Sequence, residues 1–469
     1  MRRLRWQNWW SAVADNWQDL AAEDLPIHIV GIGGAGMSAL AVLLLERGHR
    51  VSGSDLQESP SLERLRTLGI KVTLGHQPQA VAGARVVTAS PAVGFDDPEL
   101  VAAREAGITL LQRADIMGWL TRIRSSLAIA GTHGKTTTTA MAITALRAAG
   151  RDPSFLLGAD LPHTQQRAHW GTEDLLVVEA DESYGSFASM SPLITALGNV
   201  EADHLDHYGS AEHLGEAFAA LLRRSSQRLV NGDDQGAKAA LLALEGNQLG
   251  TQEDCSYQIT EVSQEGRSST FMLTGGEERA QFSLGMPGTH NVFNAALAAG
   301  AVNLLGVSLA QSAKALEGFY GLDRRFEDRG EAGGVSFIDD YAHLPSEVSA
   351  TVRAARQATD GRLMVIFQPH RFTRTAAVAK EFAESFVGAD HLLITEIYGA
   401  GEPAIAGVDA KLVADAVRES KPQFALEILP EGEAMVERLL ELLEAGDLCL
   451  TLGAGDLTQL PDLLKARLG

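Results

Sequence analysis

Ser126-Leu127-Ala128-Ile129-Ala130-Gly131-Thr132-His133-Gly134-Lys135-Thr136-Thr137 is the stretch whose reading decides the fold. The first five residues are small or apolar and read as a buried strand. Two glycines then turn the chain, and residues 137–149 read as a helix. In this order of strand, glycine turn and helix, backbone N–H groups can cradle a phosphate at the helix start. Gly134-Lys135-Thr136 adds a cation for β- and γ-phosphates and a hydroxyl able to hold Mg²⁺. The pattern is not a strict Walker A sequence, because Ile129 occupies the position of its first glycine. A chance Gly-Lys-Thr does not account for the strand before it and the helix after it.

A second glycine loop lies upstream. Residues 27–30 read as a strand, Gly31-Ile32-Gly33-Gly34-Ala35-Gly36 as a turn and 37–47 as a helix. The turn satisfies G-x-G-x-x-G, and Asp55 ends the next strand roughly 20 residues on. Glycines let backbone approach a diphosphate closely, and NAD is one candidate among several. Two nucleotide-type loops in successive α/β units weigh against a simple dehydrogenase. One loop would hold ATP and the other a different diphosphate ligand.

Downstream, residues 175–178 read as a strand leading to Glu179-Ala180-Asp181-Glu182-Ser183. A carboxylate at a strand end beside a phosphate loop is the expected Mg²⁺ ligand; a solvated acidic turn is the plain alternative. Residues 193–197 lead in the same way to Asn199-Val200-Glu201-Ala202-Asp203-His204-Leu205-Asp206-His207. His204 alone would more often be structural, but beside a phosphate loop it is a candidate metal ligand. His290-Asn291-Val292-Phe293-Asn294 opens a helix over 289–305. Asn291 and Asn294 are three apart and could both meet adenine, although Asn291 could equally cap the helix.

A third unit shows strands at 335–338, 363–367, 392–394 and 448–451, with helical stretches between them. Asp339-Asp340-Tyr341-Ala342-His343 and Gln368-Pro369-His370-Arg371-Phe372-Thr373-Arg374 both follow strands, on the ligand edge of an open parallel sheet. Arg371 and Arg374 could clamp a carboxylate, or pair with surface acids. The expectation is an α/β protein of three domains after an N-terminal extension at 1–25. These are a Rossmann-like domain at 26–123, a central P-loop ATPase-like domain at 124–323 and a Rossmann-like domain at 324–469. Residues 245–285 give no clear reading.

Composition narrows the function. A formal charge of −21 argues against a general nucleic-acid surface, so phosphates must be met by local N–H groups and a few placed cations. Two cysteines, Cys255 and Cys449, are too few for a disulfide framework and fit a reducing cytoplasm. No apolar run reaches the ~18 residues of a membrane span. The basic start, Met1-Arg2-Arg3-Leu4-Arg5, has no apolar stretch behind it and is not a signal peptide. Trp6, Trp9 and Trp10 would share one helical face in the extension, which reads as an appendage packed on the first domain or as residues upstream of the true start, ahead of a surface or membrane-interface helix.

Taken in order, these motifs resemble the Mur ligase family. The resemblance covers about residues 27 to 456 and includes Arg324-Arg325-Phe326. It implies a UDP-sugar in the first domain, ATP in the second and an amino acid in the third. It further implies that ATP phosphorylates the lactyl carboxylate of UDP-N-acetylmuramate and that an amine attacks the acyl phosphate. The first loop, with the Tyr-Ala-His and Gln-Pro-His-Arg segments, resembles the member that adds L-alanine. On this basis Gly131, Thr132, His133, Gly134, Lys135, Thr136, Thr137, Asn291, Asn294 and Arg325 would bind ATP. Thr136 and Glu179 would hold one Mg²⁺ and His204 a second. Gly33, Gly34 and Gly36 would cradle the UDP diphosphate, with Asp55, His76 and Ser90 contacting uridine or phosphate. Tyr341, His343, Arg371 and Arg374 would surround L-alanine, and Lys135, His204 and His343 would be catalytic. The family usually has a second histidine before the proline, where this chain has Leu344. A relative that recycles murein tripeptide shares several motifs and is the nearest alternative. A catalytically silent UDP-sugar-binding protein is another, and would require loss of Lys135 or Glu179.

Overall fold

The computed structural model describes Leu20 and residues 24–469 except 163, 165, 243 and 431; the tryptophan-rich segment lies outside the described residues. Three sheets organise the chain. The first holds β1 (Pro26–Val30), β2 (Arg50–Asp55), β3 (Lys71–Leu74), β4 (Val86–Ala89) and β5 (Thr109–Gln112) in the order β3-β2-β1-β4-β5. All its pairings are parallel. Strand order reverses between β1 and β4, and such a reversal opens a crevice at the strands' carboxyl ends. The first glycine loop leaves β1 at that point and runs into the helix Ala35–Glu46.

The central sheet is built from β6 (Ser125–Ala130), β7 (Ser154–Leu161), β8 (Gln166–His169), β9 (Leu175–Ala180), β10 (Ile194–Leu197), β11 (Gln227–Asn231) and β12 (Asn247–Gly250). It continues through β13 (Tyr257–Glu265), β14 (Ser268–Gly275) and β15 (Glu278–Leu284). Its order is β15-β14-β13-β12-β11-β10-β6-β9-β7-β8. β6 lies between β9 and β10, parallel to both. The phosphate loop, the acids after β9 and the segment after β10 therefore leave three adjacent strands at the same end. β6 and β9 are buried almost throughout, which is why Leu127–Ala130 and Leu175–Val178 read as apolar runs rather than alternating ones.

The third sheet has the order β16-β17-β21-β18-β19-β20. Its strands are β16 (Glu327–Ala332), β17 (Val335–Asp340), β18 (Leu363–Phe367), β19 (His391–Ile394), β20 (Leu426–Ile428) and β21 (Leu448–Leu452). β16 runs antiparallel to β17, and the remaining pairings are parallel. By contacts the chain forms two compact units. One holds the chain up to Thr260 with Leu273–Ala280 and Phe293–Leu316; the other holds Glu261–Met272, Gln281–Val292 and Glu317–Gly469.

The stretch at 245–285 folds as β12 to β15. Its signal was alternation: in β15, Ala280, Phe282 and Leu284 are buried while Arg279, Gln281 and Ser283 face out. The helix after the phosphate loop starts at Lys135, two residues earlier than the pattern suggested, because polar threonines fill its first turns.

Candidate active site

The phosphate loop is shaped by its glycines. Gly131 has φ +139 and Gly134 φ +75, conformations that side-chain-bearing residues rarely adopt. A Cβ at Gly134 would also lie 2.3 Å from Asn294 Oδ1. Asn199, after β10, clasps the loop: its Oδ1 accepts the His133 N–H at 2.8 Å and its Nδ2 donates to the His133 carbonyl at 3.2 Å. The Thr132 hydroxyl and the Glu201 backbone add two further links. Asn294, on the helix Thr289–Asn303, accepts a hydrogen bond from the Thr138 hydroxyl. Asn291, on the same helix, donates to the Pro287 carbonyl.

Lys135 folds back over this loop. Its Nζ donates to the carbonyls of Gly131 and Thr132, at 2.7 and 3.1 Å, and to both oxygens of Glu182, at 3.0 and 2.7 Å. Burial disfavours its charge, but Glu182, Asp181 and Glu179 outweigh that and hold its pKa above the usual lysine value. Glu182 is almost wholly buried, and burial pushes its carboxyl up to about 7 against the pull of Lys135. Burial likewise raises Glu179. For Asp181, Lys135 and the Ser183 N–H overcome the effect of burial and lower the pKa. One cation thus serves three carboxylates, of which Glu182 is the fully buried one.

Two donor sets there could hold a divalent cation. Thr136 Oγ1 lies 3.1 Å from Glu179 Oε2, with Glu179 Oε1 held by the Gly158 N–H. Glu182, Asp203 and His204 each offer a ligand atom, all within 4.8 Å of one another. His204 has φ +51, a left-handed conformation that costs a non-glycine residue about 1–3 kcal/mol. The Asp203 carboxylate accepts its N–H at 2.7 Å, and its Nε2 lies 3.1 Å from Ser183 Oγ. The hydroxyl and carboxylate oxygens match what Mg²⁺ takes beside phosphates, and His204 adds a nitrogen donor at the second set.

At the first loop, the Ser54 carbonyl accepts the N–H groups of Gly31 and Ile32, while Asp55 Oδ2 accepts that of Gly33. Gly34 and Gly36 open the helix Ala35–Glu46 without any side-chain cap, leaving first-turn N–H groups for an anion. Ser90 lies against Gly31. His76 pairs with Asp97 through Nδ1, and its buried Nε2 has no hydrogen-bond partner.

In the second unit, Asp340 anchors the end of β17 by accepting the N–H groups of Phe326 and Ala342, at 2.7 and 2.8 Å. Burial lifts its pKa to about 6. Arg324 and Arg325 both lie over the Tyr341 ring, with centroid distances of 4.8 and 4.9 Å. His343 Nδ1 is 3.0 Å from the Tyr341 carbonyl, and its ring faces that of His370 at 5.4 Å. Arg374 donates to His370 Nδ1 at 2.9 Å. Burial, with His343 and nearby arginines, lowers the His370 pKa to about 3. His370 is therefore neutral, with its proton on Nε2. Arg371 takes φ +66 at the start of the helix Phe372–Val378, and its buried Nε has no hydrogen-bond partner.

Several residues carried no role in the sequence reading. Asn199, Glu182 and Asp203 lay inside quoted motifs, but only strand adjacency shows what they touch. His370 lay in the Gln-Pro-His-Arg segment, and its neutrality depends on burial. Glu99 had no signal at all: it is fully buried and binds His28, the Ser54 hydroxyl and the Gln77 N–H, bracing the end of β2.

Comparison with known proteins places the chain in a family. Residues 26–124 match the domain described as Mur ligase family, catalytic domain; 129–302 match the Mur ligase middle domain; and 324–455 match the Mur ligase, glutamate ligase domain. UDP-N-acetylmuramate–L-alanine ligase of Thermobifida fusca (strain YX) is 39% identical over 94% of this chain and 96% of its own length. The enzyme of that name from Solidesulfovibrio magneticus is 41% identical over 92% and 96%. Among solved structures, UDP-N-acetylmuramate-alanine ligase MurC of Thermotoga maritima superposes with a TM-score of 0.79 at 28% identity, covering 94% of this chain and 99% of its own. A murein peptide ligase of Psychrobacter arcticus gives 0.70 at 24% identity, over 95% and 99%, a likeness of fold. With three successive domains matched and relatives near 40% identity along nearly its whole length, the chain belongs to the Mur ligase family.

Proposed function

We propose that this protein joins L-alanine to the lactyl carboxylate of UDP-N-acetylmuramate, with cleavage of ATP to ADP and phosphate, in peptidoglycan precursor synthesis in the cytoplasm. The observation that carries the reading is the gathering of Lys135, Thr136, Glu179, Glu182 and His204 at the carboxyl ends of three adjacent strands. Relatives of 39–41% identity that bear the L-alanine ligase name support the choice of substrates over a recycled tripeptide.

In this reading residues 26–123 hold the UDP-sugar, 124–323 hold ATP and 324–469 hold the amino acid. A lactyl carboxylate oxygen attacks the γ-phosphorus; the bond to ADP breaks and an acyl phosphate forms. Lys135 neutralises charge on the transferring phosphoryl group. Thr136 and Glu179 would hold one Mg²⁺ and His204 a second, and these ions supply charge neutralisation for phosphates and carboxylate. Asn291 and Asn294 contact adenine, and Arg325 the ribose or phosphates. Arg371 and Arg374 take the alanine carboxylate, while Tyr341 and His343 face its amine. The amine attacks the acyl carbon, loses a proton, and the tetrahedral intermediate expels phosphate. Gly33, Gly34 and Gly36, with Asp55, His76 and Ser90, hold the nucleotide end of the substrate.

The test is phosphate release from ATP and UDP-N-acetylmuramate across a panel of amines. L-alanine should support turnover well above glycine, L-glutamate or an L-alanyl tripeptide. Turnover favouring the tripeptide would assign the recycling reaction instead, and turnover with none of them would remove the ligase reading.

A further inference from the structure

Arg113 opens the helix Arg113–Ile123, immediately after β5. Its guanidinium lies against the first turn of the helix Ala35–Glu46. A Cβ added at Gly36 would sit 3.3 Å from Arg113 Cζ and 3.4 Å from Nη2. Gly36 is thus the residue that lets the arginine reach the loop. This is an unfavourable place for a cation, because a helix N-terminus carries a partial positive charge of about half a unit.

Among the described residues no carboxylate pairs with Arg113; Asp55 meets the loop at the Gly33 N–H instead. Arg113 Nε is buried without a hydrogen-bond partner, and among the described residues Arg113 forms no ion pair. Its field does reach Asp181 beyond the phosphate loop, where it contributes to holding that carboxyl low. Asp181, however, is already engaged by the Ser183 N–H and hydroxyl. A guanidinium set beside the first turn of a helix that opens on a glycine loop suits an anion, and its fork matches phosphate oxygens in pairs.

We infer that Arg113 binds the diphosphate of the UDP-sugar, closing the glycine loop over it from the β5 side. The inference rests on the proposed function. It adds a side-chain cation to a loop that otherwise offers backbone N–H groups.

The test compares the full-length protein with Arg113→Gln and Arg113→Lys. Steady-state kinetics vary each of the three substrates, and titration calorimetry measures UDP and ATP binding. Arg113→Gln should raise KM for UDP-N-acetylmuramate and weaken UDP binding tenfold or more. Its kcat should stay within threefold, and KM for ATP and L-alanine should be unchanged. Arg113→Lys should recover part of the loss, since it restores charge without the fork. UDP affinity within twofold of wild type in Arg113→Gln would overturn the inference. So would a fall in kcat with KM unchanged, which would move Arg113 to the transferring phosphoryl group. Equal weakening of UDP and ATP, with a lowered melting temperature that lysine does not restore, would make it a structural residue only. If wild type itself fails to bind UDP-N-acetylmuramate, the proposed function falls first and the inference with it.

Discussion

Lys135 Nζ bonds both carboxylate oxygens of Glu182, at 3.0 and 2.7 Å, so the lysine that would meet a γ-phosphate already holds an internal anion. Removing the lysine should have two separable effects. Lys135→Ala should cut ligase turnover by about a hundredfold or more, since phosphoryl transfer depends on charge stabilisation. It should leave UDP-N-acetylmuramate binding intact, because that loop leaves a different sheet. It should also destabilise the fold, as a buried carboxylate losing its partner costs about 3–5 kcal/mol. Adding Glu182→Gln should restore much of the melting temperature without restoring activity. Near-normal turnover in Lys135→Ala, or no stability rescue in the double variant, would contradict this.

His343 and Leu344 point to different environments. Leu344 is extended, at φ −105 and ψ 152, and only 6% exposed, whereas His343 sits beside Tyr341 and His370. Successive side chains in an extended segment face opposite ways. His343→Ala should therefore lower the rate at limiting L-alanine and change ATP and UDP-sugar parameters little. Leu344→His should leave kcat within a few-fold but lower stability by about 1–3 kcal/mol, because it buries a polar ring. A tenfold gain in alanine turnover for Leu344→His, or a silent His343→Ala, would show that the amine site is elsewhere.

The His370 pKa is lowered to about 3, below its ordinary 6.5, by burial and by neighbouring cations. A depressed histidine pKa favours the neutral folded form, so its contribution to stability is complete above pH 6.5. That contribution is lost as pH falls from 6.5 toward 3. The His370 ring resonance, identified by its absence in His370→Gln, should not titrate between pH 8 and 5. Over the same range the wild-type melting temperature should fall more than that of His370→Gln. A ring titrating near 6.5 would contradict the assignment of its proton to Nε2 alone.

Truncation should show where the dispensable extension stops. Leu20 is fully buried in the core that also contains Leu40, Leu44 and Trp119. Removing residues 1–18 should leave kcat and melting temperature nearly unchanged. Removing residues 1–22 takes away Leu20 as well and should lower stability by a few kcal/mol, roughly the cost of emptying a leucine site. A large loss of activity in a folded 1–18 deletion would give the tryptophan segment a direct role.

Much of this architecture was legible because its strands are buried on both faces. Leu127–Ala130 and Leu175–Val178 form apolar runs ending in glycines or acids, and each motif marks the carboxyl end of a strand. The strands from Asn247 to Leu284 were not legible, since about half their residues are polar and exposed and no apolar run marks them. Motif residues with special backbone or charge, such as Gly134, Lys135 and His204, stood out by type. Arg113 and Glu99 did not, because an arginine after a strand and a glutamate in a helix are ordinary until topology sets them against Gly36 and Ser54.

Isotope transfer tests the central claim, acyl-phosphate formation at the Lys135 loop, most directly. UDP-N-acetylmuramate labelled with ¹⁸O in its lactyl carboxylate would be turned over with ATP and L-alanine, and the released phosphate analysed by mass spectrometry. One carboxylate oxygen should appear in phosphate for each amide formed, and Lys135→Ala should abolish the transfer. Unlabelled phosphate alongside normal amide formation would contradict the account.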